Sequence, residues 1–152
     1  FPNTFGSELK VCGVNGTARI FVTIPNDKSS IGSCFIDPIV TSSIFVIICN
    51  AIVDPKNMEV NKEIISIVIG FTNLSLILFA FGFNCMAPLN PARDFAPRHF
   101  TCIAGWGKDV FAIRNYSYFW IPIVAPHCGA IIGSWLNVLL VEIHWDNDHK
   151  PI

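Results

Sequence analysis

Residues 88–100 read PLNPARDFAPRHF, and their interpretation decides what the rest of the chain can be. Three prolines, two arginines, an aspartate and a histidine crowd into this stretch, at the end of residues 64–92, where no charge occurs. Asn90-Pro91-Ala92 has the chemistry of a helix start. Asn is a favoured N-cap, and Pro at the first helical position gives up only an N–H that would be unpaired there. Pro91 also pushes Asn90 out of the helical region, so a helix arriving from the apolar run must break first. The new helix is expected over about residues 91–102, ending before Gly105 and Gly107. At 1.5 Å per residue it is roughly 15–20 Å long, about half a bilayer.

Working outward, two more apolar windows flank this segment. Residues 29–53 contain one charge, Asp37, and residues 116–141 contain none. A hydrocarbon core of roughly 30 Å needs about 20 helical residues, so all three windows suffice. One such run fits a buried core helix, but three in 152 residues do not. Charged residues make up 14% of the chain against about a quarter in soluble domains, which places it in the membrane class. Spans are expected at about 29–53, 64–84 and 117–142, after a polar lead-in over 1–28. The net charge of −1, with no basic cluster, argues against nucleic acid as a partner. The chain opens FPNTFGSELK, without Met or a basic segment ahead of an apolar stretch, and is expected to be a piece of a longer protein.

A half-length helix starting at bilayer depth leaves backbone groups that lipid cannot satisfy. Such backbone persists only when buried in protein or lining a watery cavity. Arg93 points the same way, because an intramembrane Arg needs a polar path to face. The alternative is that Arg93 and Asp94 belong to an ordinary exposed loop, and hydropathy leaves that open. Asp94 and Arg98 also stand at the i,i+4 spacing of a helical ion pair. The six cysteines form no CxxC pair and read as small buried hydrophobes. His99 and Cys102 are spaced H-x2-C, but no second pair completes a metal site. An intramembrane enzyme using Cys85 or His99 would need a base and an orienting partner, and no such spacing is visible.

The segment GFNCMAPLNPARDFAPRHF, followed by AGWG and the span YFWIPIVAPHCGAIIGSWLNVLLVEIH, resembles the second half of an aquaporin. Within that family it is similar to the glycerol-conducting branch, the aquaglyceroporins. The resemblance runs from about residue 20 to 144. It implies an all-α membrane bundle, the second repeat of the fold, with three spanning helices and one re-entrant half-helix. It also implies passive conduction of glycerol, water and other small neutral solutes, in a plasma-membrane homotetramer, with no nucleophile, metal or cofactor.

Carried over residue by residue, the resemblance makes the Asn90 amide a donor to a passing oxygen, and Pro91 and Ala92 the contact with a second half-helix. Arg93 would be the selectivity arginine, and the carbonyls of Met86, Ala87 and Pro88 would be acceptors. Asp94, with Arg98, Pro122 and Ile123, matches the glycerol branch, Asp94 arranging the loop near Arg93 to leave a wider filter. Four departures stand out. The NPA tripeptide occurs once in the chain. Leu78 lies where glycerol channels usually have a Gly facing the filter. Met86 replaces a Gly, and Pro38 replaces a bracing Glu or Gln, with Asp37 as a possible substitute. A non-conducting fragment that pairs with intact subunits, or a water-selective channel, are the alternatives.

Of the remaining features, Asn15 and Asn115 head glycosylation sequons, expected on one face of the membrane. Tyr116, Tyr118, Phe119 and Trp120 are expected as an aromatic belt, with Trp145 anchoring the opposite end. His127 is expected as a packed or cavity-facing neutral imidazole, and Asn50 and Asn73 as interhelical hydrogen-bonders.

Overall fold

The computed structural model describes residues 9–13, 16–57 and 60–144. Among the described residues five α-helices carry the fold: α1 (Ile31–Val53), α2 (Lys62–Ser75), α3 (Gly82–Cys85), α4 (Pro91–Thr101) and α5 (Ile121–Leu140). The Asn15 sequon and the Trp145 end lie outside the described residues.

The first span begins where Ser30 caps α1, its Oγ accepting the Ser33 N–H at 3.1 Å. Pro38 sits inside α1 and is buried. A helical proline has no N–H to return to the carbonyl four residues back, which here belongs to Cys34. That carbonyl instead lies 3.9 Å from the Cys85 thiol. Asp37 is occupied within the chain, its carboxylate accepting from the Asn84 side-chain amide.

The second predicted span is a single path over 62–85 but not a single regular helix. After α2, residues Leu76–Phe81 form a π-helical turn before α3. The turn brings the Ile77 carbonyl against Gly82 so closely that a Cβ there would collide with it. Two helices, Ile31–Val53 and Ile121–His144, are each long and apolar enough to cross a membrane on their own.

The third span starts later than its apolar character suggested. Arg114, Asn115 and Tyr116 all have positive φ, so a right-handed helix cannot run through them. Helix α5 begins only at Ile121, with Pro122 in its first turn. Tyr116 and Trp120 are exposed as a belt requires, but Tyr118 is fully buried, against expectation.

Helices α1 and α5 make the main contact of the bundle. Gly129 and Gly133 of α5 lie directly on the backbone of Ile39 and Ser43. Ser43 Oγ is 2.8 Å from both the Ile39 and Gly129 carbonyl oxygens. Close approach through small residues, with a polar group at the seam, is how helices associate where lipid is as apolar as leucine. The outward faces of α2 and α5 expose Ile64, Ile67, Phe71, Ile131, Trp135 and Leu139. These faces suit hydrocarbon or further protein. The lead-in residues Ala18, Val22 and Ile24 pack with Val110, Ile113 and Ile121, and α4 is tied to this region through Thr23 and Val110.

Candidate functional site

The sequence of α3 to α4 builds a short irregular strand that ends in a capped helix. Met86 and Ala87 have φ of 62° and 42°, a left-handed pair that non-glycine residues rarely adopt. They turn the chain out of α3, and the Leu89 N–H closes on the Ala87 carbonyl at 2.8 Å. Of the three carbonyls expected as acceptors, that of Ala87 is therefore already engaged. Ala87 and Pro88 are buried, while Met86 is half-buried. Met86 borders a cavity of about 420 Å³ shared with Arg19, Pro25, Asp27 and Phe83.

Glycine at 86 would adopt its φ without a Cβ penalty. Met86→Gly is therefore expected to stabilise the protein by about 1 kcal/mol. Thermal unfolding in detergent checks this, and a destabilised variant would show that Met86 packing outweighs the backbone cost.

Asn90 is the N-cap of α4. Its Oδ1 accepts from Ala92 N at 3.0 Å and Arg93 N at 3.3 Å. With the oxygen held by those two donors, the Nδ2 end of the amide must point away from the helix. Asn90, Ala92 and Arg93 are exposed and Pro91 half-buried. Among the described residues the Arg93 guanidinium has neither an ion pair nor a hydrogen bond. Pro97, one turn on, has no N–H to give the Arg93 carbonyl. The first turn of α4 thus presents an amide donor and a cation at its positive end.

Asp94 is turned into the protein, paired with Arg98 as their i,i+4 spacing predicts. Its side chain and that of Arg98 are each 1% exposed. Arg98 Nε donates to Asp94 Oδ1 and Nη2 to Oδ2, at 2.8 and 2.9 Å. The remaining carboxylate valences go to Thr23, whose backbone N–H donates at 2.8 Å and whose hydroxyl also donates. Arg98 in turn reaches the carbonyls of Val110, at 2.6 Å, and Thr23, at 2.9 Å. A buried ion pair needs this many partners to be tolerable. The pair fastens α4 to the lead-in and to the turn after it, and Arg93 stays on the open side.

Leu78 is 62% exposed on the π-helical turn. His99 makes edge-to-face contacts with Phe95 and Phe111, with its Nδ1 2.9 Å from the Phe95 carbonyl. His127 is exposed, its Nδ1 2.6 Å from the Ile123 carbonyl. Asn115 is exposed in the left-handed turn. Sequence reasoning missed Thr23, Tyr118 and the Val110 carbonyl. It also missed Arg114, whose Nη2 reaches the carbonyls of Asn26 and Asp27 at 2.9 and 2.8 Å.

The family profile described as Major intrinsic protein matches residues 7–137. The chain is 39% identical to Aquaporin-9 of Mus musculus, over 95% of this chain and 48% of that protein. It is 39% identical to Aquaporin-10 of Homo sapiens, over 98% of this chain and 49% of that protein. Its fold matches the X-ray structure of the aquaglyceroporin from Plasmodium falciparum with a TM-score of 0.73 and 27% identity, covering 84% of this chain and 52% of that one. The chain thus spans about half the length of the relatives it matches. The profile match across nearly the whole chain, with the capped half-helix beneath it, makes this an integral membrane protein of the major intrinsic protein family, the aquaporins.

Proposed function

We propose that this chain forms one side of a passive channel for glycerol, water and other small neutral solutes, of the aquaglyceroporin kind. The observation that carries the reading is the start of α4. There Asn90 Oδ1 is tied down by two N–H groups, its Nδ2 is turned outward, and the Arg93 guanidinium beside it has no partner among the described residues. Asn90 Nδ2 and Arg93 donate to a solute oxygen, and the carbonyls of Met86 and Pro88 accept from its hydroxyls. Pro91 and Ala92 meet the opposing wall, Leu78 narrows the path, and Asp94 holds α4 in place from behind. The positive end of α4 and the Arg93 charge together oppose cations and protons, while a neutral polyol pays no such penalty. The exposed face of α4 requires further protein to shield it from lipid. A homotetramer in the plasma membrane is part of this reading.

A second reading, a non-conducting chain that pairs with intact subunits, is favoured by Leu78, whose exposed bulk on the π-helical turn stands where the family resemblance implies a glycine facing the filter. Osmotic swelling of vesicles containing the protein separates the two. Glycerol entry above that of empty vesicles is expected. Arg93→Val should raise proton leak by roughly tenfold or more, since a full charge is removed from a narrow path. Glycerol entry equal to that of empty vesicles would favour the second reading.

A further inference from the structure

We propose that Tyr118 is a positioning residue for the channel wall, holding residues 85–89 in register with α4 through Thr23. The inference rests on the channel reading for what those residues do, while the holding itself stands on geometry alone. Tyr118 lies in the turn before α5 and is 0% exposed. Its hydroxyl oxygen is 3.2 Å from Thr23 Oγ1 and 3.4 Å from the Cys85 carbonyl oxygen.

Asp94 sets the direction of the hydrogen bonds. A carboxylate paired with Arg98 can only accept, so the Thr23 hydroxyl must give its hydrogen to Asp94 Oδ2. Thr23 Oγ1 then has only lone pairs to offer, and Tyr118 must be the donor. Its single hydrogen is shared between Thr23 and the Cys85 carbonyl. The guanidinium carbon of Arg98 also stands 5.9 Å from the Tyr118 ring centroid, within cation–π range. The hydroxyl chain therefore joins four separate segments: the turn before α5, the lead-in, α4 and the end of α3. Cys85 is the residue immediately before the left-handed pair Met86 and Ala87. Backbone in such a region persists only where its surroundings over-determine it, and Tyr118 supplies that restraint at the first atom upstream. A ring that merely filled space would not need the hydroxyl.

Tyr118→Phe keeps the ring and removes the hydroxyl. The readout is the rate at which N-ethylmaleimide labels each native cysteine of the vesicle-reconstituted protein, resolved by peptide mass spectrometry. Cys85 is 0% exposed and reports opening of the wall, and half-buried Cys49 on α1 is the reference. Loss of one buried hydrogen bond should speed Cys85 labelling about tenfold, with Cys49 unchanged. Thr23→Val is expected to do the same, and Thr23→Ser to keep the wild-type rate. Should Tyr118→Phe fail to fold, the Thr23 pair carries the test. In vesicles that conduct, both disruptive variants should lower the ratio of glycerol to water permeability. The proposal is overturned if Cys85 labelling stays at the wild-type rate, if both thiols accelerate together, or if Cys85 opens with the permeability ratio unmoved. A wild-type protein without flux sinks the channel reading alone, and the labelling then decides the positioning role.

Discussion

Arg98→Leu is expected to cost roughly 3–5 kcal/mol of stability, seen as a fall on the order of 10 °C in the unfolding temperature of the detergent-solubilised protein. The cost follows from what is left behind. Asp94 would keep its two Thr23 donors but lose its counter-charge in a site closed to water. The carbonyls of Val110 and Thr23 would each lose a charged donor. Arg98→Lys should recover little, because a single ammonium cannot span two carboxylate oxygens and two carbonyls in one plane. The double variant Asp94→Leu with Arg98→Leu should be less damaged than either single one, since it removes both buried charges together. A single variant costing under about 1 kcal/mol would mean that the pair is solvated, as surface ion pairs are. Because α4 carries Arg93 and is capped by Asn90, loosening this knot should also disorder the helix start on which the proposed channel function rests.

The i,i+4 spacing of Asp94 and Arg98 was legible in the sequence, as were the cap at Asn90 and the approximate end of α4. All three are local patterns whose partners lie within a turn or two of each other. The partners that make the pair tolerable were not legible. Thr23 is 71 residues from Asp94, and Tyr118 is 95 from Thr23. Contacts at such separations leave no periodicity behind. Tyr118 was misassigned to an aromatic belt because hydropathy records the side chain and not the backbone. The left-handed residues 114–116 delay α5, so Tyr118 falls in a buried turn and not on a helix surface. Similarly, residues 76–81 read as more of an apolar helix, yet Gly82 allows an approach to the Ile77 carbonyl that produces a π-helical turn. The family resemblance supplied the site residues as a set. Within that set Arg93 is open and Asp94 is turned into the protein, a difference set by Thr23 and Val110, which lie elsewhere in the sequence.

Gly129→Ala and Gly133→Ala are each expected to destabilise the protein by about 1–3 kcal/mol, although alanine is the better helix former. A Cβ at Gly129 would collide with the Ile39 carbonyl and lie 2.8 Å from Ser42 Cβ, and one at Gly133 would lie 2.6 Å from the Ser43 carbonyl oxygen. In both cases the main obstacle is backbone, which cannot rotate aside like a side chain, so α1 and α5 must move apart. Separation also breaks the interhelical contact between Ser43 Oγ and the Gly129 carbonyl, leaving the hydroxyl only the Ile39 carbonyl of its own helix. The double variant should cost less than the sum of the two, because once one methyl has parted the helices the second meets less resistance. Gly70→Ala is the control. A Cβ there meets nothing within 4 Å, so only helix propensity changes and stability should rise by up to about 1 kcal/mol. Thermal unfolding of the four variants in one detergent reads all of this together. Two seam variants as stable as the Gly70 control would mean that α1 and α5 do not meet through their glycines. The packing that sets α5, and with it the buried Tyr118 just before it, against α4 would then need another explanation.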